Sequence, residues 1–347
     1  MNIQNYREFN KHEAVINFFD SKSGLRAFVA IHNTNLGPAT GGTRYLAYSR
    51  EEDALRDALR LSRAMTYKCA LAGVPYGGGK TVIMASKNKS AALFKVYAER
   101  VNLLRGSYTT GEDVGIEEKD LKVMQKISPH INGRPDAGGD LAPWTALGIK
   151  RSMESALKAL YGSSSFSGRK FAVKGLGKIG LAVIEKIIEE GGEVFGADVN
   201  VGVVKKAKKK YPNLKIVSPR GIRTLRVDVF SPCALGGEID EQALKELKCS
   251  IICGGANNQL SRPEMGEKLH RKGILYVPDY LANAGGLINI VAEMRPQGYS
   301  ENWVRDRVLN IKNTSKKVIV LSAKTNSPTS EVADKLAESI FKRKVKI

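Results

Sequence analysis

Two lysines and an aspartate are the side chains of this sequence best suited to acid–base chemistry. In MTYKCALAGVPYGGGKT, residues 65–81, Lys68 and Lys80 stand twelve positions apart. Lys68 follows an apolar helical run, and Lys80 directly follows Gly77, Gly78 and Gly79, which read as a glycine-rich turn. A lysine held against backbone and drawn out of water has a lowered pKa and can act as a base near neutral pH. The other lysine then offers a fixed positive charge for a carboxylate. In TTGEDVG, residues 109–115, Asp113 sits in a glycine-flanked loop after a strand and is a candidate proton carrier. Phosphate cradling is not expected at Lys80, because position 74, six residues ahead of it, is Val rather than the Gly a P-loop needs.

The elements around these residues mix strands and helices. Residues 26–32 read as a strand ending in a loop at 37–42, and residues 81–85 as a short buried strand after the glycine turn. Over 50–65, Ala54, Leu55, Ala58, Leu59, Leu61 and Ala64 keep helical spacing, with Glu51, Glu52 and Asp53 suiting the first turn. A second helix is expected at 90–105. The Gly-, Pro- and Asp-rich stretch 129–140 reads as a hinge, followed by a helix over 143–161. Beyond the linker SSSFSG, strands at 171–175, 193–198, 227–231, 250–255 and 274–279 alternate with helices, which argues for a parallel doubly wound sheet. The expected division is a first domain at 1–137, a second at 138–324, and a C-terminal helix within 325–347 that returns to the first.

The second domain carries its own signal. GLGKIG at 175–180 follows the strand FAVK and opens a helix, and Asp198 lies eighteen residues beyond Gly180. This is the setting of a dinucleotide-binding turn. Gly175 permits the tight turn, Gly177 lets backbone approach a pyrophosphate, Gly180 allows close helix–strand packing, and the helix N-terminus supplies donors. Asp198 suits ribose hydroxyls and would repel a 2′-phosphate, and Val199 and Asn200 bring no arginine, so NAD is expected rather than NADP.

The bulk numbers narrow the class. At 347 residues the chain has room for two full cores, and no apolar run is long enough to span a membrane. The polar N-terminus and four cysteines without metal-ligand spacing (Cys69, Cys233, Cys249, Cys253) point to buried thiols in the cytoplasm, with no metal. The net charge of +20 raises nucleic-acid binding. The basic runs at 205–210, 220–223 and 342–346 are scattered and lack interleaved aromatics, so they read as solvated faces.

GPATGGTR at 37–44, MTYK at 65–68, GGGK at 77–80, GEDVG at 111–115, SPCALGGEID at 231–240, GGANNQL at 254–260 and NAGGLIN at 283–289 together resemble the leucine/phenylalanine/valine branch of the amino-acid dehydrogenases, in the family's motif order. The resemblance implies a two-domain α/β enzyme: an N-terminal substrate and oligomerisation domain, a Rossmann-type NAD domain, and an active site in the cleft between them. It implies oxidative deamination of an L-amino acid to a 2-oxo acid and ammonium, with NAD as cofactor, in a homo-oligomer. It assigns catalysis to Lys80 and Asp113 and puts Lys68, Gly41, Gly42 and Asn283 at the substrate carboxylate. Thr40, Gly111, Leu287 and Ile290 fall on the side-chain pocket. Gly175, Gly177, Lys178, Ile179, Gly180, Asp198, Cys233, Ala234, Ala256, Asn257 and Asn258 fall on the cofactor site. A small residue at 111 and a polar one at 40 leave aromatic substrates open beside branched-chain ones. Activity is expected to rise at alkaline pH. Two other readings stand beside this one: an NAD-binding sensor without turnover, and a nucleic-acid-associated basic protein.

Overall fold

The computed structural model describes residues 2–85, 89–133 and 138–342. The chain divides into two compact units: Met1–Gly139 with Ile290–Tyr299 and Ala337–Ile347, and Asp140–Asn289 with Ser300–Leu336. The expected hinge at 129–140 and the boundary at 137 fall partly on residues 134–137, outside the described residues. So do the last residues of the basic run at 342–346.

The first unit is built on β1 (Ala14–Asp20), β2 (Leu25–Asn33), β3 (Ala39–Leu46), α1 (Glu51–Ala72), β4 (Gly77–Met84), α2 (Ala91–Asn102), β5 (Tyr108–Glu112) and α3 (Glu118–Gln125). Its sheet runs β1-β2-β4-β3-β5. β2 is antiparallel to β1 and β4, while β3 is parallel to both β4 and β5. The period of two sorts the side chains onto two faces. Phe28, Ala30, Val82 and Met84 pack on Ala54, Leu55, Ala58 and Leu59 of α1. Val29, Ala39, Tyr45 and Ile83 pack on Phe94, Tyr97 and Val101 of α2. On the α2 face a buried hydroxyl chain ties the three parallel strands together: Thr43 Oγ1 bonds Thr110 Oγ1 at 2.8 Å and Tyr97 Oη at 2.7 Å, and Tyr97 donates to Thr81 Oγ1 at 2.8 Å.

Two expectations change here. The GPATGG segment is a loop only at 37–38: Ala39–Leu46 is the strand β3, between β4 and β5 in the sheet. Nor do Gly77, Gly78 and Gly79 form a turn, because they are the first residues of β4, and none of them has positive φ. The helix expected at 50–65 runs on to Ala72, carries Lys68 within it, and ends at Gly73 in the left-handed conformation.

The second unit contains α4 (Leu141–Tyr161), β6 (Lys170–Lys174), α5 (Lys178–Glu189), β7 (Glu193–Ala197), α6 (Val201–Lys210), β8 (Lys215–Ile216), β9 (Val229–Pro232), α7 (Glu241–Glu246), β10 (Ile251–Ile252), α8 (Glu264–Arg271), β11 (Leu275–Tyr276), α9 (Asp279–Ala282), α10 (Gly285–Glu293), α11 (Glu301–Thr325) and α12 (Thr329–Phe341). The unit boundaries at 289/290 and 336/337 fall inside α10 and α12. The sheet order is β11-β10-β9-β6-β7-β8 with every pairing parallel, the doubly wound arrangement in which ligands bind beyond the carboxyl ends of the strands. α11 and α4 approach closely enough for the buried Ser152 and Ser315 hydroxyls to bond at 2.9 Å. Among the described residues no helix is long and apolar enough to cross a membrane.

Candidate active site

In the first unit the three glycines of β4 admit close neighbours, and Gly78 brings the strand against helix α1. A Cβ on Gly78 would lie 2.1 Å from the Thr66 nitrogen in α1, and one on Gly79 would lie 2.6 Å from the Tyr108 ring. Lys80, two residues on from Gly78 and two before Val82, therefore projects onto the α1 face, where it is only 6% exposed. Asp113, one residue past β5, meets it there: Lys80 Nζ lies 2.9 Å from Asp113 Oδ2. The same oxygen accepts from Arg44 Nε at 2.9 Å, and Arg44 Nη1 reaches Asp57 Oδ2 at 2.7 Å.

The electrostatics follow from that crowding. Burial disfavours the charged ammonium and lowers the pKa of Lys80; Asp113 opposes the shift, Arg44 adds to it, and the net direction is down. Burial alone would raise the pKa of Asp113, but the neighbouring Lys80 and Arg44 cations outweigh it and hold the carboxyl below its ordinary range. The pair is thus an ionised aspartate beside a lysine poised to give up its proton.

Four of the residues expected at the substrate, Thr40, Gly41, Gly42 and Gly111, lie on β3 and β5 of the same sheet. Parallel register sets Gly42 opposite Gly111 and Thr40 opposite Thr109, whose hydroxyl donates to Thr40 Oγ1 at 3.0 Å. A Cβ on Gly42 would come within 2.9 Å of the Asp113 Cβ, and one on Gly41 would strike the Gly79 carbonyl oxygen at 1.9 Å with Met65 Cγ 3.4 Å away. Lys68 is half-buried on α1, one turn beyond Met65 and so on the same stripe of the helix. Gly111 differs from these: a Cβ there would meet only Asn132 at 3.4 Å, an ordinary contact.

In the second unit the glycine loop joins β6 to α5. Gly175 has φ +102°, and a Cβ on it would strike the Ala234 nitrogen at 2.6 Å; a Cβ on Gly180 would lie 1.8 Å from the Gly175 carbonyl oxygen. Gly177 has open space around it, Lys178 beside it is exposed, and no side chain caps the helix that begins there. Asp198, one residue past β7, accepts from the Leu176 nitrogen at 2.7 Å and from the Asn200 nitrogen at 2.8 Å, which fixes the loop. No basic side chain follows before Lys205. An open, uncapped helix N-terminus beside a carboxylate fits a dinucleotide pyrophosphate and ribose.

The other residues expected at the cofactor gather at the same strand ends. Ile179 Cγ2 packs within 2.6 Å of where a Gly255 Cβ would stand, and Cys233 Sγ lies 3.6 Å from that point. Ala234 is exposed and Ala256 buried, and Asn258 (φ +53°) donates its backbone N–H to Asp279 Oδ2 at 2.5 Å. Cys233 is half-buried rather than buried, because it lies on the open end of the loop after β9; the other three cysteines are buried, and all four are free. Leu287 is buried and Ile290 half-buried, three residues apart on α10.

Asn283, expected at the substrate, is held by the turn after β10. Its amide donates to the Gly255 carbonyl at 3.1 Å and to Asn257 Oδ1 at 2.8 Å, which occupies both N–H groups. Its buried Oδ1 has no hydrogen-bond partner.

Both units have counterparts among known proteins. Residues 12–129 match the Glu/Leu/Phe/Val dehydrogenase dimerisation domain, and residues 199–332 match the Glutamate/Leucine/Phenylalanine/Valine dehydrogenase domain. The chain is 40% identical to leucine dehydrogenase of Geobacillus stearothermophilus over 97% of its own length and 93% of that protein's. It belongs to the Glu/Leu/Phe/Val dehydrogenase family. Phenylalanine dehydrogenase of Caldalkalibacillus thermarum is 37% identical over all of this chain and 96% of its own. The crystal structure of L-tryptophan dehydrogenase from Nostoc punctiforme superposes with a TM-score of 0.86 at 38% identity, covering 97% of this chain and 98% of that one.

Arg44, Asp57 and Tyr48 are the residues at this family site that sequence reasoning missed. Arg44 closes the GPATGGTR motif and shares its strand face with Gly42. That period of two from Gly42 was the available signal, obscured once the motif was read as a loop. Asp57 carries Arg44, the Tyr48 hydroxyl at 2.6 Å and Arg60 at 2.8 Å. On the sequence it looked like one more solvated charge on an amphipathic helix.

Proposed function

We propose that this chain catalyses the NAD-dependent oxidative deamination of an L-amino acid with a branched-chain or aromatic side chain, giving the 2-oxo acid and ammonium, and the reverse reductive amination. The observation that carries the reading is the buried Lys80 bonded to Asp113 at 2.9 Å on the glycine-walled face of β3, β4 and β5. When bound, NAD supplies the hydride acceptor. Gly175, Gly177, Gly180 and Asp198 are the residues that would hold it.

As the substrate α-carbon is oxidised, positive charge grows on the nitrogen, and the ionised Asp113 stabilises it and carries protons to and from it. Water must then add to the iminium carbon, and Lys80 in its neutral form takes the proton from that water. Lys68 and the backbone at Gly41 and Gly42 are the groups for the substrate carboxylate. Asn283 Oδ1 is an acceptor for a ligand N–H. The absence of a side chain at Gly111 is the feature that would favour a larger substrate side chain, with Thr40, Leu287 and Ile290 as the remaining pocket residues.

We assign substrate binding and oligomer formation to the first unit and NAD binding to the second. We place the protein in the cytoplasm, where its four free thiols stay reduced. The turnover-free sensor has nothing to support it in a site whose acid–base pair is intact. The test is NADH absorbance at alkaline pH with NAD and each L-amino acid in turn. Reduction with one class of apolar side chain is expected; no reduction with any of them, with NAD binding intact, overturns the reading.

A further inference from the structure

Behind Lys80 and Asp113 lies a line of charge that the reaction as described does not use. Arg44 is 15% exposed and uses two edges of its guanidinium at once: Nε on Asp113 and Nη1 on Asp57. Asp57, 13% exposed, is in turn held from three sides, by Arg44, by the Tyr48 hydroxyl and by Arg60. The two carboxylates come from different elements, Asp113 from the loop after β5 and Asp57 from α1, and Arg44 comes from β3. A lysine would hold both through one tetrahedral nitrogen, whereas the planar guanidinium gives each carboxylate its own nitrogen in a fixed spacing.

We infer that Arg44 is a positioning residue for the reaction, holding Asp113 against Lys80, and that Asp57 on α1 sets how firmly Arg44 does so. This inference rests on the dehydrogenase reading above. The backbone carbonyl of Asp113 accepts from the Ile116 nitrogen at 3.0 Å, which pins the main chain, and Arg44 Nε fixes the carboxylate that the main chain leaves free to rotate. The groups acting on Lys80 are Asp113 from the loop after β5, Arg44 from β3 and Asp57 from α1. Lys68 is half-buried on α1, and Tyr48 and Arg60 close around Asp57. Their signs give the inference a signature. Arg44 disfavours the charged lysine and Asp57 favours it. Removing one or the other therefore moves Lys80 in opposite directions, which general loosening of the fold would not do.

The experiment compares Arg44→Gln, Arg44→Lys and Asp57→Asn with the wild-type enzyme. The pH dependence of Lys80 acetylation by trace acetic anhydride, read by peptide mass spectrometry, reports its titration without turnover. The pH profile of kcat/KM reports it during turnover. Arg44→Gln is expected to raise the apparent pKa of Lys80 by on the order of one unit, and Asp57→Asn to lower it. Arg44→Lys restores most of the titration but not kcat, since it keeps the charge and loses the fork. Shifts in the same direction, or none in either variant of an enzyme that turns over, overturn the inference alone; Asp57→Asn, nearly isosteric, serves if Arg44→Gln does not fold. A wild-type enzyme inert toward every amino acid overturns the dehydrogenase reading and the catalytic sense of this inference with it.

Discussion

Single glycines separate the demands of folding from those of binding. Gly78→Ala forces a Cβ to within 2.1 Å of the Thr66 backbone nitrogen, so strand and helix must part. We expect a loss of about 3 kcal/mol or more by chemical denaturation. Gly177→Ala meets no atom within 4 Å and has an extended backbone that alanine adopts freely. Its stability should stay within about 0.5 kcal/mol of wild type. Its Kd for NAD, measured by fluorescence titration, should rise by on the order of tenfold, because the methyl occupies space meant for the pyrophosphate. Gly111→Ala also fits the fold. Its expected effect is on kcat/KM alone, with aromatic amino acids losing more than branched-chain ones; equal loss for both would remove Gly111 from the pocket.

At the scale of elements, the glycines of β4 show why part of the site was legible in the sequence and part was not. The spacing of Gly175, Gly177, Gly180 and Asp198 encodes a local turn, and local turns are readable because neighbouring residues make them. The glycines at 41–42 and 77–79 exist for contacts between segments far apart in sequence. Their chemistry was visible, but β3 and the glycine half of β4 were not, since glycine weakens every local strand signal. The long helix α11 was overlooked for a related reason: its buried face includes Ser315 and Ser322, which break the apolar spacing. The histidines His12 and His32, outside every motif, pack with ring centroids 4.9 Å apart among α1, β2 and the last turns of α12, where Tyr67 donates to Glu338 at 2.7 Å. Burial lowers His32 from 6.5 to about 3 and lowers His12 as well. Both are neutral in the fold and take up protons when it opens. Stability is therefore complete above pH 6.5 and falls as pH drops toward about 3, by about 1.4 kcal/mol per pH unit for His32, with His12 acting in the same direction. Denaturant melts of His32→Gln across that window should show a shallower pH slope than wild type; an unchanged slope would mean that His32 is not what loosens the fold in acid.

For the whole molecule, charge and assembly are the open physical quantities. From Val199 to Val227 there is no acidic residue against nine lysines and arginines, which accounts for much of the net charge of +20. Most of these cations are exposed and spread over α6, β8 and the following turn. Retention on DNA should accordingly be independent of sequence and be lost as salt rises. The first unit matches a dimerisation domain and presents β1 as an open sheet edge with Phe19 65% exposed. Sedimentation should therefore give a mass that is a multiple of the protomer's, and a protomer mass at micromolar concentration would contradict that. The central claim is that Lys80 and Asp113 act together as the acid–base pair of an amino-acid dehydrogenase. Its most direct test is kcat for Lys80→Ala and Asp113→Asn on the best amino-acid substrate, with the Kd for NAD measured on the same preparations. The account predicts a fall in kcat of about a hundredfold or more in each variant with NAD affinity unchanged. Either variant keeping more than a tenth of wild-type kcat would contradict it.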